Sequence, residues 1–214
     1  MDNIRLSSYL DSLESEDITI LTDIASYAAS HNLPIARRET VSFLKTVIKA
    51  IHPRSILEIG CCVGYSAIQM AEAAGNVSIT TIEINHANAD IARNNFSAYK
   101  EINPSTDIKL IEDDATGVLP GLTGEYDLIF MDAAKGQYIN WLPDALRLLR
   151  HGGVLISDNV LQDMTLLESR FAVERRDRTI HERMRTYLYT LKHTEGLTTS
   201  IVNTGDGVAF TVKE

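Results

Sequence analysis

From Ser55 onward the chain alternates short apolar runs with longer amphipathic stretches. SILEIG (55–60), VSITTI (77–82), IKLI (108–111), YDLIFM (126–131) and GVLIS (153–157) have the length and composition of buried strands. Segments near 64–74, 86–100 and 136–150, and a shorter one after Asp114, carry the spacing of helices. A strand-helix-strand rhythm predicts right-handed crossovers and a mostly parallel sheet covered by helices on both faces, an α/β fold. The end of the chain breaks that rhythm. Thr198–Asn203 and Val208–Lys213 flank Gly205-Asp206-Gly207, which predicts a hairpin that brings the sheet to seven strands with an antiparallel edge. The first fifty residues read as helical. Asp17 is placed to cap a segment in which Ile18, Leu21, Ile24, Ala25 and Ala28 recur at helical spacing. Val41, Phe43, Leu44, Val47, Ile48 and Ile51 do the same until His52-Pro53 ends the run. No repeat or Pro/Gly/Ser-rich linker interrupts the chain, so the expected organisation is one domain over 1–214. It consists of a helical extension (1–52) and a core (53–214).

Composition narrows the class. A chain of 214 residues with 44% hydrophobic and 23% charged residues can bury a core without disulfides or structural metal, and holds no apolar run of membrane-spanning length. Acids stand in MDNIRLSSYLDSLESED where a signal peptide needs a basic and then an apolar region, so the expected compartment is the cytoplasm. Cys61 and Cys62 are adjacent and offer neither a CxxC pair nor zinc-ligand spacing. The net charge of -9 opposes broad adhesion to nucleic acid or anionic lipid, while leaving room for a local basic patch.

In an open α/β sheet ligands collect at the carboxyl ends of the strands, so the residues after each strand carry the functional signal. Glu58-Ile59-Gly60-Cys61-Cys62-Val63-Gly64-Tyr65-Ser66 follows the first; its glycines allow a tight turn and close approach of a ligand to the backbone. Cys62 and Tyr65 stand where a GxGxxG dinucleotide fingerprint needs glycine, which disfavours a pyrophosphate cradle. Glu83, at the end of the second strand, can accept from both hydroxyls of a ribose, which points to a nucleoside ligand without a diphosphate. Asp132 follows the fourth strand and Asp158-Asn159 the fifth. Brought together at adjacent strand ends, these oxygen donors suit a hard divalent cation, magnesium above all. Lys135 is close enough to Asp132 in sequence to reach a group bound there. Each residue alone also has a plain reading as turn, helix cap or surface charge; the conjunction is what points to chemistry.

Taken together, LEIGCCVGYSAI (57–68), FMDAAKGQY (130–138), GGVLISDNVL (152–161) and GDGVAF (205–210) resemble the cation-dependent O-methyltransferases of the catechol and caffeoyl-CoA type. That resemblance implies a Rossmann-like class I methyltransferase core that uses S-adenosylmethionine. It implies that Glu58, Gly60 and Ser66 line the methyl-donor site with Glu83 on the ribose, Ala115 near the adenine and Asp132 in contact. Asp132, Asp158 and Asn159 become ligands of Mg2+ or another divalent cation, and Lys135, with Asp132, the catalytic pair, the lysine as base. It also implies a homodimer. Cys61-Cys62 departs from the pattern, since relatives usually carry small or hydroxyl residues in that turn.

Within the family, the stretch from Glu174 to Arg185 resembles the bacterial branch that methylates 5-hydroxyuridine at the wobble position of tRNA, giving 5-methoxyuridine. Residues 168–185 hold six arginines against four acids, so positive charge is concentrated there. Ile180, Met184, Leu188 and Leu191 form an apolar stripe that leaves Arg175, Arg176, Arg178 and Arg183 for phosphate contact. The competing view is an exposed helix with ion pairs such as Glu174 with Arg178. The 5-oxygen and O4 of 5-hydroxyuridine are neighbours, as are the oxygens of a catechol, so small catechol-like or caffeoyl-CoA-like acceptors stay open as the alternative. A nucleotide-binding oxidoreductase and a non-enzymatic interaction module are more distant ones.

Overall fold

The computed structural model describes residues 2–161, 165–169 and 171–214. Three helices come first, α1 (Asp2–Leu13), α2 (Thr19–Ser30) and α3 (Arg38–Ile51). Then follow β1 (Ser55–Ile59), α4 (Tyr65–Ala74), β2 (Ser78–Glu83), α5 (His86–Ile102), β3 (Asp107–Glu112) and the short α6 (Ala115–Val118). The chain continues through β4 (Tyr126–Met131), α7 (Tyr138–Leu148), β5 (Leu149–Ser157), α8 (Arg178–His193), β6 (Leu197–Val202) and β7 (Val208–Lys213). The strands form one seven-stranded sheet in the order β3-β2-β1-β4-β5-β7-β6.

The period of two along each strand builds two apolar layers. Ile56, Leu128, Phe130, Val154 and Ile156 face one way and pack with α2–α5 through Leu21, Leu44, Ile48, Ile68 and Phe96. Leu57, Ile59, Ile129, Met131 and Leu155 face the other way, toward Trp141 and Leu142 of α7 and Met184 and Tyr187 of α8. The parallel block runs from β3 to β5.

The C-terminal hairpin is antiparallel, as expected, and the structure adds the order of its strands. β7 is the antiparallel strand, but it lies between β5 and β6, so β6 at the edge again runs with the parallel block. Burial explains the order: Val208, Ala209 and Thr211 of β7 are enclosed, whereas β6 is largely exposed. β5 also starts earlier than expected. It takes over directly from α7 at Leu149, and a register shift against β4 is absorbed around Gly152, whose φ is +71°. Asp17 is not a helix cap; Ile18 occupies that position without a side-chain bond. The Asp17 carboxylate instead accepts from Lys45 Nζ at 3.2 Å and Gln69 Nε2 at 3.0 Å, fastening the helical extension to α4. His52 does end α3, in the left-handed region at φ 48°. On α8 the buried stripe is His181, Met184, Tyr187, Leu188 and Leu191, while Ile180, expected within it, is 38% exposed.

Candidate active site

β1 lies between β2 and β4, so the chain leaves the sheet in opposite directions at their carboxyl ends, and a crevice opens there. It holds a cavity of about 660 Å3 lined by Gly60, Ser66, Glu83, Ala115, Asp132, Lys135 and Asn159. Pro34–Arg37 of the helical extension and Asp206 of the β6–β7 turn also line it.

The turn after β1 is shaped by contacts within the chain. Gly60 has φ +103°, and a Cβ there would lie 2.1 Å from the Asp132 carbonyl oxygen. At Gly64, φ +86°, a Cβ would lie 2.6 Å from the Phe96 ring. The glycines expected to admit a ligand therefore admit neighbouring parts of the protein, and in doing so set the floor of the cavity. Glu83 is buried at one end. Its Oε2 accepts from the Cys62 amide at 2.7 Å and its Oε1 from the Asn85 amide at 2.8 Å, which fixes the carboxylate while each oxygen keeps a lone pair. Ala115 opens α6 beneath Asp114, which caps the helix by accepting from the Thr116 amide at 2.8 Å.

Glu58 is fully enclosed and is not among the cavity-lining residues. Its Oε2 accepts from the Thr81 hydroxyl, and its Oε1 has no hydrogen-bond partner among the described residues. Burial pushes its carboxyl up to about 7 against the lowering influence of the nearby Ser66 and Thr81 hydroxyls, with Asp132 and Glu83 adding repulsion. Ser66 lines the cavity, and Glu58 is enclosed beside it without lining it.

At the other end the expected oxygen donors do converge. Asn159 Nδ2 donates to Asp132 Oδ1 at 3.0 Å, and the Asn159 amide donates to Asp158 Oδ1 at 2.7 Å. Tyr138 holds the two strand ends in place: its phenol lies 3.1 Å from the Met131 carbonyl and 3.2 Å from that of Asp158, and accepts from the Ala133 amide at 3.2 Å. Desolvation, then repulsion from Asp132, lifts Asp158 to about 7. Desolvation also raises Asp132, opposed by the Asn159 hydrogen bond and the Lys135 charge. Two partly desolvated carboxylates beside an amide that can present its oxygen by a half-turn form a hard, anionic donor set, and that set fits a divalent cation.

Three contributors were not singled out from sequence. Asp206 lines the cavity, pairs with Arg37 at 2.8 Å and adds to the negative field at Asp132 and Asp158. Thr40 donates to Asp158, and Tyr138 staples the strands. Gly205-Asp206-Gly207 signals a turn, but only the insertion of β7 beside β5 brings that turn to the site, through Val160 N to Gly207 O and Leu161 N to Asp206 O, both 2.9 Å.

The arginines expected to meet RNA have different local partners. Arg175 and Arg176 precede α8, and Arg176 pairs with Glu174 at 3.1 Å and Asp177 at 3.5 Å. Arg178 turns to the carbonyls of Val173 and Phe171 in place of the expected pair with Glu174. Arg183 donates to the Gly136 carbonyl at 3.1 Å, beside the cavity-lining Lys135. Arg170, counted in the basic stretch, lies outside the described residues.

A family model described as O-methyltransferase matches residues 11–214. The chain belongs to the O-methyltransferase family. Catechol O-methyltransferase of Niastella koreensis is 30% identical over 164 residues, covering 71% of this chain and 73% of that protein. Caffeoyl-CoA O-methyltransferase 5 of Nicotiana tabacum is 29% identical over 150 residues, covering 66% and 61%. The SAH-bound structure of the Podospora anserina methyltransferase PaMTH1 superposes with a TM-score of 0.87 at 23% identity, covering 100% of this chain and 97% of that one. Membership of an enzyme family for oxygen methylation displaces the oxidoreductase and interaction-module readings. No helix among the described residues is long and apolar enough to cross a membrane.

Proposed function

We propose that this O-methyltransferase moves a methyl group from S-adenosylmethionine to a hydroxyl that has a neighbouring oxygen, the pair being held at a magnesium ion. The acceptor we infer is 5-hydroxyuridine at the tRNA wobble position. The observation that carries the reading is that Asp132 and Asn159 line the cavity Glu83 serves from its other end, with the buried Asp158 joined to them through the Asn159 amide. The neighbour solved with SAH, the demethylated form of that donor, supports the choice of cofactor.

A cation in that donor set supplies positive charge that favours the ionised acceptor hydroxyl, and S-adenosylmethionine supplies an activated methyl group. The chain does the rest. Glu83, immobilised by two backbone amides, orients a ribose; Ser66 and the turn at Gly60 set the depth of the donor; Lys135 holds or takes the proton at the acceptor oxygen. Enclosure of these groups supplies alignment and charge placement, which is where the rate gain arises.

One feature supports an acceptor carried on a polyanion. Arg183 carries positive charge to Gly136, next to the cavity-lining Lys135. The relatives' names favour the second reading, a small catechol-like or caffeoyl-CoA-like acceptor. A homodimer belongs to the same proposal, and sedimentation measures it.

Nucleoside mass spectrometry of tRNA from cells lacking the protein separates the acceptors. Accumulated 5-hydroxyuridine with lost 5-methoxyuridine is the expected result, and an unchanged profile assigns the small-molecule reading. In vitro, Asp132→Ala and Asp158→Ala should each cut methyl transfer by at least about a hundredfold while S-adenosylmethionine binding stays measurable by calorimetry. Full activity of wild-type protein in excess chelator would remove the cation from the mechanism.

A further inference from the structure

We propose that Thr40 is a positioning residue of this centre, through which the helical extension sets the orientation of the Asp158 carboxylate; the inference rests on the metal-centre reading above. Thr40 is fully enclosed in the first turn of α3, and its Oγ1 donates to Asp158 Oδ1 at 3.2 Å across 118 residues of sequence. The second donor to that carboxylate, the Asn159 amide, falls on the same oxygen at 2.7 Å. Both bonds load Oδ1, and under this proposal Oδ2 is the oxygen offered to a cation. With only the Asn159 amide, the carboxylate would hang from its own loop and keep rotational freedom that binding must remove.

The surroundings are built to keep the hydroxyl there. At Gly205, φ +53°, a Cβ would come within 2.7 Å of Thr40 Oγ1, so the β6–β7 turn passes close to this side chain. Arg37, at the N-cap of the same helix, holds Asp206 of that turn at 2.8 Å. α3 itself is anchored by Val41, Leu44, Val47 and Ile48, which makes its first turn a rigid platform. The helical extension thereby touches the chemistry from behind as well as lining the cavity at Pro34–Arg37.

The test uses the full chain and Mn2+ as the spectroscopic probe, read by paramagnetic resonance without methyl transfer. Wild type should bind Mn2+, and Asp158→Ala should not. Thr40→Val, which keeps the shape and removes the donor, should weaken Mn2+ binding by about tenfold or more, and Thr40→Ser should restore it. Affinity for S-adenosylhomocysteine should be unchanged in both. If Thr40→Val loses its cooperative thermal transition, Thr40→Ala takes its place. A folded Thr40→Val or Thr40→Ala that binds Mn2+ like wild type overturns the inference, and so does a Thr40→Ser as weak as the valine variant. If wild type fails to bind Mn2+, or Asp158→Ala binds it equally well, the metal-centre reading itself has failed, a result distinct from the failure of Thr40 alone.

Discussion

At Gly60 the geometry turns a missing side chain into a requirement. The Asp132 carbonyl occupies the space a Cβ would take, and that oxygen belongs to backbone that cannot swing aside. Gly60→Ala should therefore cost about 2–4 kcal/mol, read as a lower denaturant midpoint, and should impair cation binding because Asp132 is the group displaced. Glu58 makes a different demand. Its carboxyl is raised to about 7, above its ordinary 4.5, because burial opposes ionisation. The folded state therefore binds the proton more tightly than the unfolded chain. Glu58 weakens the fold progressively as pH rises from about 4.5 to about 7, and the loss is complete above that. Glu58→Gln should flatten the decline in stability between pH 5 and 8, checked by urea unfolding at both values; an unaltered slope would mean that Glu58 does not titrate in that window. That Asp132, Asp158 and Asn159 come together was legible from sequence, because they follow the ends of adjacent strands. Asp206 and Thr40 were not legible, because their relevance depends on which strand lies next to which and on how a distant helix packs.

Elements were legible in proportion to how far local pattern decides them. The apolar runs of β1, β2 and β4 fall within a residue or two of the expected spans, and His52-Pro53 ends α3 as its backbone preference requires. The hairpin was legible as a pair but not in its placement, since both strands carry similar patterns and only the burial of Val208, Ala209 and Thr211 sends β7 to the inner position. Asp17 misled because a carboxylate ahead of an apolar helix normally caps it, whereas here Lys45 and Gln69 offer stronger tertiary partners. The joint between β4 and β5 depends on Tyr138, whose hydroxyl reaches three backbone groups on the two strand ends. Tyr138→Phe preserves the buried ring and deletes that joint. It should lower stability by about 1–3 kcal/mol and weaken Mn2+ binding as well, because Asp132 and Asp158 start where those strands stop. A variant that loses stability but keeps wild-type Mn2+ affinity would show that the strand ends hold their positions unaided.

For the whole molecule, the question is how a chain of net charge -9 engages a polyanion. Long-range attraction is unavailable, so any affinity for RNA must come from short-range contact with locally exposed arginines. Arg183 is a poor probe of that contact, because its bond to the Gly136 carbonyl supports the Lys135 turn and its loss would disturb every acceptor. Arg175 and Arg176 precede α8, are exposed and are not among the cavity-lining residues; Arg176 pairs with its sequence neighbours Glu174 and Asp177. The double variant Arg175→Ala/Arg176→Ala should raise the KM for tRNA while leaving kcat/KM for a free catechol unchanged. If each arginine meets one phosphate, the slope of log affinity against log salt should become shallower by about 1.4–1.8. Measuring tRNA binding between low and moderate salt for both proteins reads this directly. Equal losses on tRNA and catechol, or an unchanged slope, would assign these arginines to the solvated surface and shift the acceptor toward a small molecule.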